Sequence, residues 1–456
     1  MQGASPQDSG RASRGGGAAL TRAFERLGLR SPEQRAWGLY DWANSAFFTT
    51  VVAAVFPVYY RSVAAAGRSD VIETYANASS YSMLAVALVG PLLGALADVA
   101  GCKKVLLALF VALGVLSTAG LFFVGEGDWL AGCWLFALGN VGVAGSFIFY
   151  DALLPAVARD DELDRVSSAA FSLGYLGGGL LLVLNVACIL RPEWFGLPHG
   201  EGLTSSERTL PTRIAFLAVA LWWLVFSLPL LVRVKEPPVA RTGVTGARAV
   251  LEALARLRAT FYELRRWRQA FVFLIALLIY NDGIVTIIRM AAVFGAELEI
   301  AQADLIGAIV LVQFVGAPCA VLFGKLAQRI GAKRAILLGL AAYVGVSLVA
   351  YRMQSARDFY LLALGVGAVQ GGCQALSRSL FTSMVPASKA GEFFGLYGVL
   401  DRFASIFGPL AFAAAGRWSG NTRDGALAIT AFFVVGGVLL ACVDVEAGRR
   451  AARQDP

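Results

Sequence analysis

Long apolar runs alternate with short polar segments along the chain, and the pattern repeats twelve times. Each run has about 20 residues, the length that a helix needs to cross the hydrocarbon core of a bilayer. The pattern therefore predicts an all-α membrane protein with twelve transmembrane helices. The predicted spans are residues 38–60, 77–97, 104–124, 130–150, 168–190, 212–232, 270–294, 303–323, 335–352, 359–385, 393–415 and 425–444.

A short motif follows the second span and returns after the eighth. Residues 94–104 read GALADVAGCKK, and residues 324–334 read GKLAQRIGAKR. Its glycines allow close helix approach and a tight turn, and its acid suits a helix N-terminus or an arginine of the other half. The motif residues are Gly94, Asp98, Gly101, Lys103, Gly324 and Gly331. Two copies at equivalent places predict two parallel six-helix bundles, the repeat pattern of secondary transporters.

The segments outside the spans complete a predicted division of the chain into five parts. Residues 1–36 are rich in Gly, Ser and Arg and are expected to be a disordered tail. Residues 37–233 and 269–446 form the two bundles, and residues 447–456 form a second tail. The basic linker, residues 234–268, has apolar residues at helical spacing. We expect it either to lie on the inner leaflet as an amphipathic helix or to extend the seventh span into water.

Composition excludes several classes of protein. Of the 456 residues, 57% are hydrophobic and 15% are charged, against about 25% charged in ordinary soluble domains. A soluble enzyme, a disordered protein and a nucleic-acid binder are therefore not expected. The net charge is +8. The lysines and arginines lie mostly in segments predicted on the same side of the membrane as the N-terminus. This bias predicts a multi-pass protein of the cell (inner) membrane with both termini in the cytoplasm.

The sequence offers no pattern for a metal, a cofactor or a catalytic triad. The chain has one histidine, His199, and six cysteines without a CxxC pair, so neither a histidine-based metal site nor a disulfide framework is expected. It also lacks the phosphate-binding glycine loop that ATP-driven transport needs. We expect a monomer in the lipid bilayer that binds a small solute and a coupling proton.

Polar residues inside the spans are the candidate binding groups, because an unpaired charge in the bilayer is costly. In span 10, Gln370, Gln374, Ser377 and Arg378 share one helical face. That face either lines a cavity or packs on span 11. The predicted substrate or ion-binding residues are Asp41, Asn44, Asn281, Asp282, Arg289, Gln370, Gln374, Arg378 and Asp401.

Two of the acids carry alternative roles. Asp282 lies about twelve residues into span 7, near the midplane, and is the preferred proton or substrate site. Its alternative is a structural ion pair, although Arg289 is about 10 Å along the same helix. Asp41, near the start of span 1, is expected either to lock one helix to another or to bind solute or proton.

Several motifs carry a resemblance to known transporters. Residues 94–104 resemble the cytoplasmic motif between helices 2 and 3 of the major facilitator superfamily, where it acts in gating. Val99 and Cys102 stand where that motif usually has basic residues, and Gln328 replaces the acid in the second copy. The segments YDWANS (40–45), YNDG (280–283), QGGCQALSRS (370–379), EFFGLY (392–397) and GP (408–409) resemble the vacuole effluxer family.

The resemblance implies a function. The eukaryotic members of that family are associated with amino-acid export from the vacuole, so amino acids are the first expected solutes. The leading hypothesis is a secondary active transporter that works by alternating access and is coupled to a proton gradient. The alternative is a membrane sensor or assembly partner that keeps the transporter fold without transport, using its basic linker and tail to bind a partner.

Overall fold

The computed structural model describes residues 19, 21–236, 250–255, 267–297, 301–403, 407–419 and 423–454. Long helices follow the predicted spans. In the first half they are α1 (Pro32–Ala64), α2 (Val71–Ala100), α3 (Lys103–Gly120), α4 (Trp129–Ala152), α5 (Leu163–Leu190) and α6 (Ser205–Arg233). In the second half they are α7 (Arg268–Glu297), α8 (Gln302–Ile330), α9 (Ala332–Arg352), α10 (Ala356–Thr382), α11 (Ala390–Phe403), α12 (Phe407–Ser419) and α13 (Arg423–Cys442).

The eleventh predicted span, 393–415, contains α11 and α12, and residues 404–406 between them lie outside the described part of the chain. Among the described residues, eleven helices are long and apolar enough to cross a membrane.

Helix α1 begins earlier than the pattern of apolar residues predicts. Ser31 and Gln34 form a capping box, in which each side chain accepts a hydrogen bond from the other residue's backbone N–H. Pro32 at the first helical position also favours initiation. Ordered helix therefore extends into the segment expected to be a disordered tail. The middle of α1, Phe47–Val55, has π-helical hydrogen bonding, a feature that is frequent at functional sites.

Each half has its own hydrophobic core. One core contains Trp37, Phe47 and Trp223 among residues of α1 to α6. The other contains Tyr280 and Phe381 among residues of α7 to α13. Because the two cores are separate, each half can move as a rigid body.

Two helix pairs between the halves approach each other closely at glycines. Helix α2 crosses α11 where a Cβ at Gly94 would overlap the backbone of Gly391. Helix α5 crosses α8 where a Cβ at Gly324 would lie 2.7 Å from Cβ of Ser168. The motif glycine thus occupies an equivalent crossing in each half, which is the pairing that two parallel repeats predict.

Parts of the expected tail and linker are helical. Residues 250–255 of the basic linker are helical, and Ala253 packs against Ala95 and Val99 of α2. The rest of the expected amphipathic helix, including Leu257, lies outside the described residues. At the C-terminus, α14 (Val445–Arg453) is capped by the Asp444 side chain, where a tail was expected.

Candidate functional site

A cavity of about 450 Å³ lies between the two halves. Its volume is within the roughly 300–1,000 Å³ that is typical of small-molecule sites. Helices α1, α4 and α5 line it from the first half, and α7, α8, α10 and α11 line it from the second. A solute in this cavity would contact both halves at once, which is the arrangement that alternating access requires.

One end of the cavity contains an ion-paired group of three residues from three helices. Arg378 of α10 donates from Nη2 to Asp41 Oδ2 of α1 at 3.1 Å. It also donates from Nη1 to Asp151 Oδ1 of α4 at 3.2 Å. All three are buried. We call Asp41, Asp151 and Arg378 the charged trio; it joins one half of the molecule to the other.

The surroundings of Arg378 fix its position. Nε donates to Ser167 Oγ of α5 at 2.9 Å, and Nη2 donates to the Ser167 carbonyl at 3.2 Å. The rings of Phe171 and Trp37 have centroids 4.5 and 4.7 Å from Cζ, within the range of cation–π attraction. Because a buried charge is stable only when its donors are satisfied, these contacts explain how the membrane interior holds a guanidinium.

The aromatic support of the trio is itself hydrogen-bonded. The Trp37 indole donates to the Tyr150 carbonyl at 2.9 Å and stacks on the Tyr150 ring. The Tyr40 hydroxyl donates to Ser146 Oγ at 2.6 Å. The YDWANS segment therefore supplies both a charged residue and part of the packing that orients it.

Most of the predicted site residues meet at this cavity. Those that line it are Asp41, Asn44, Asn281, Gln370, Gln374 and Arg378. The polar face predicted in span 10 thus points into the cavity, and Ser377 on that face bonds the Tyr280 hydroxyl at 2.6 Å. The alternative, that this stripe is buried against span 11 without reaching a cavity, does not describe the observed packing.

Asp282 is placed differently from the expected proton site. It is buried, and its Oδ2 accepts a hydrogen bond from the backbone N–H of Gly408 at 2.8 Å. Gly408 belongs to α12, so this carboxylate joins α7 to α12. Asp282 is not among the described residues that line the cavity. Its neighbour Asn281 faces the cavity instead.

Two predicted site residues have side chains outside the described part of the structure. These are Arg289 in α7 and Asp401 in α11. Arg378 pairs with Asp41 and Asp151, which come from the other half of the molecule.

The first copy of the repeated motif joins the two halves at one end of the bundle. Asp98 accepts hydrogen bonds from the backbone N–H groups of Gly391 at 3.1 Å and Glu392 at 2.8 Å, at the N-terminus of α11. Its Oδ1 also lies 2.8 Å from Lys103 Nζ. The expected helix-capping role of this acid is observed. Gly101 has φ +62° and ends α2 in a left-handed conformation.

Further contacts between the halves lie at the same end, which we call the closed face and define by Asp98, Ser167, Ser379 and Glu392. Ser379 donates to Asp164 Oδ1 at 2.5 Å, and Ser167 donates to the Ala375 carbonyl at 2.7 Å. Outside the membrane helices, Arg453 pairs with Asp160 at 3.1 Å.

The second copy of the motif has a different role. Gln328 stands where the first copy has its acid, and Gly331 begins α9 with φ +88°. Lys333 donates to the carbonyls of Ala441 and Val443 at 2.7 and 2.8 Å. These carbonyls lie at the C-terminal end of α13 and just beyond it, so the second motif stabilises its own half, while Gly324 supplies the contact between halves.

Sequence reasoning missed Asp151 and Ser167 as members of the site. Asp151 is the penultimate residue of α4, and a charged residue at that position indicates a helix end in contact with water. Ser167 lies four residues into α5, among polar residues that look solvated. The charge of Arg378 was a usable signal, because two nearby acids can share one buried guanidinium.

Two six-helix halves with a cavity between them form the fold of the major facilitator superfamily. The solved structure of the proton:xylose symporter XylE has this fold, with a TM-score of 0.66 and 15% sequence identity. The likeness covers 90% of this chain and 94% of XylE. The fold class predicted from the apolar pattern is confirmed. The chain's 36% identity to an MFS-type transporter shows that the protein is a transporter and not an enzyme.

The chain belongs to the family described as "Vacuole effluxer Atg22 like", which it matches over residues 30–453. It is 36% identical over 434 residues to the uncharacterized MFS-type transporter YxiO of Bacillus subtilis, covering 92% of this chain and 97% of YxiO. It is 27% identical over 322 residues to autophagy-related protein 22 of Yarrowia lipolytica. That match covers 63% of this chain and 51% of the fungal protein, so the chain spans about half of this relative. The resemblance drawn from the motifs is confirmed.

Proposed function

We propose that the protein moves a small polar solute, with amino acids as the first candidates, across a bacterial cell membrane by alternating access coupled to a proton gradient. The observation that carries this proposal is the cavity between the halves, with the charged trio at its end. Amino acids are suggested by the resemblance to vacuole effluxers. Proton coupling is supported by two buried carboxyls that share one guanidinium.

The orientation follows from charge. Lysines and arginines are concentrated in the tail, the basic linker and the short loops on the same side, so this side faces the cytoplasm by the positive-inside rule. The closed face lies on that side, because it contains the motif that joins α2 to α3. We infer that the structure represents a state closed to the cytoplasm, and that a single chain forms the complete transport unit.

The proton site within this proposal is the charged trio and not Asp282. A coupling group must alternate between solvent and the protein interior, and Asp41 and Asp151 line the cavity whereas Asp282 binds the backbone N–H of Gly408 in α12. A proton on either carboxyl weakens its pair with Arg378 and so loosens one contact between the halves.

Counterflow in proteoliposomes tests the proposal. Purified protein is reconstituted with pooled unlabelled amino acids inside, and labelled pools are added outside with and without a pH gradient. Uptake above that of empty liposomes, increased by the gradient, is the expected result. A folded protein that takes up no pool under either condition contradicts the proposed solute class.

A further inference from the structure

The charged groups of the cavity are unequal in sign. Among the described residues that line it, the charged side chains are two acids, Asp41 and Asp151, and one base, Arg378. The other polar lining groups are neutral amides and hydroxyls, including Gln313 and Gln370. In a site with low-dielectric walls, an acidic excess attracts cations and repels anions.

The base is also less accessible than the acids. The Arg378 side chain is 4% exposed, against 7% for Asp41 and 11% for Asp151. The N–H groups of Arg378 are directed at these acids and at Ser167. A solute carboxylate would have to displace an existing partner of Arg378. A solute ammonium group at Asp41 would leave Arg378 paired with Asp151.

Aromatic side chains add to this preference. Phe171 lines the cavity beside Arg378, and Phe48, Tyr175, Phe394 and Tyr397 also line it. Their ring faces carry partial negative charge and attract an organic cation, while their area suits an apolar side chain. The cavity therefore combines an acidic end with aromatic walls.

We propose that the cavity recognises its solute through an ammonium group that binds at Asp41 in exchange for a proton. This inference rests on the proposed transport function and deepens it. When the protonated Asp41 carboxyl releases its proton, the carboxylate accepts the solute ammonium, so one positive charge replaces another. Solute and proton then occupy the same group in turn and cross the membrane in opposite directions, which makes the protein an antiporter.

The exchange of solute and proton at Asp41 also affects the ion pair that joins the two halves. Asp41 is the partner of Arg378, so an ammonium group or a proton at Asp41 competes with the guanidinium for the same oxygen atoms. Two ionisable groups interact with the trio, Tyr40 of α1 and Tyr150 of α4. Tyr175 of α5 and Tyr280 of α7 line the same cavity, and Asp164 of α5 accepts a hydrogen bond from Ser379 of α10.

Three matched pools of solutes test which chemical group of the solute the cavity recognises. The first contains free amino acids, the second their amides, which keep the ammonium but lose the carboxylate, and the third their N-acetyl derivatives, which keep only the carboxylate. Binding to the full-length protein in detergent is measured by the shift in its melting temperature. We expect the first two pools to bind and the third to bind more than about tenfold more weakly.

The outcomes separate the inference from the function on which it rests. If the N-acetyl pool binds as tightly as the free amino acids and the amides do not bind, the ammonium site is wrong while the transport proposal stands. If no pool binds, the amino-acid class itself fails. Binding of the amide pool alone supports the ammonium site and changes the solute class to amines.

The pH profile tests the exchange at Asp41. Free neutral amino acids keep their charges between about pH 5.5 and pH 7.5, so a fall in their affinity at the lower pH reports proton competition on the protein. We expect this fall in the wild type and in Asp41→Glu, and a weak, pH-independent binding in Asp41→Asn. A wild-type affinity that is constant over this range contradicts the exchange, even if Asp41→Asn does not fold.

Discussion

Arg378 and Asp41 are 337 positions apart in the chain, yet their charged groups lie 3.1 Å apart in the interior of the bundle. The pair joins α10 of the second half to α1 of the first. Because Asp151 shares the same guanidinium, the contact has a second acid at hand when one is protonated. A buried ion pair of this kind contributes little net stability compared with apolar packing of similar volume. We therefore infer that the pair serves the change between conformations.

Removal of the guanidinium tests this relationship first. We expect Arg378→Gln to destabilise the protein by about 3–5 kcal/mol, since it leaves two buried acids without their common partner, and to abolish gradient-driven uptake. The matched control is Arg357→Gln, an exposed position at the start of the same helix. Melting temperature and uptake are measured for both. Wild-type stability and uptake in Arg378→Gln would remove the trio from the account.

The Asp98–Lys103 pair supports a second prediction. Asp98→Asn weakens the cap of α11 and leaves a buried ammonium group without its partner, at a cost of about 3–5 kcal/mol. Adding Lys103→Met is expected to recover part of this loss, because the uncompensated charge is then gone. A double-mutant cycle on thermal unfolding gives the coupling. Strictly additive effects of the two single changes would show that the pair carries no interaction.

Gly94 supplies the third prediction. A methyl group there overlaps the backbone of Gly391, so Gly94→Ala is expected to separate α2 from α11 and to reduce uptake by at least about tenfold. Gly345→Ala in α9 is the matched control, since a Cβ at this helical glycine meets no atom within 4 Å. We expect it to be neutral or slightly stabilising. Normal uptake by Gly94→Ala would mean that this crossing does not limit the transport cycle.

Two substitutions of Asp282 distinguish a coupling role from a structural one. Asp282→Asn keeps an oxygen that accepts the Gly408 N–H, so we expect gradient-driven uptake to persist. Asp282→Ala leaves that N–H without its partner and is expected to cost about 1–3 kcal/mol. The readouts are accumulation in proteoliposomes and melting temperature. Loss of accumulation in a stable Asp282→Asn protein would return the coupling role to this residue.

The sequence predicts the fold more completely than the site, for a physical reason. Apolar runs of membrane length allow few structures besides helices, and the repeated motif shows how the halves correspond. The span 10 polar face is also visible, because Gln370, Gln374 and Arg378 follow the helical period. Pairing between helices is not visible in this way, since it depends on which faces meet after folding.

Asp282 and Asp151 show two ways in which the sequence alone does not predict the role of an acid. Depth in the span made Asp282 the preferred proton or substrate site, but the structure shows its carboxylate accepting a hydrogen bond from the backbone N–H of Gly408 in α12. Asp151 looked like a helix end in water, but α10 brings Arg378 against it. In both cases the partner is distant in sequence, and no local pattern of residues encodes it.

The most direct test of the account is the distance across the closed face during transport. Spin labels are placed at Arg159 in the first half and Arg334 in the second, both exposed, in a protein without its native cysteines, and the distance is measured by double electron–electron resonance. We predict a short-distance population at neutral pH and a longer one that grows when solute or protons are added, and that dominates in Arg378→Gln. A single distance that is the same under all these conditions would contradict alternating access controlled by the charged trio.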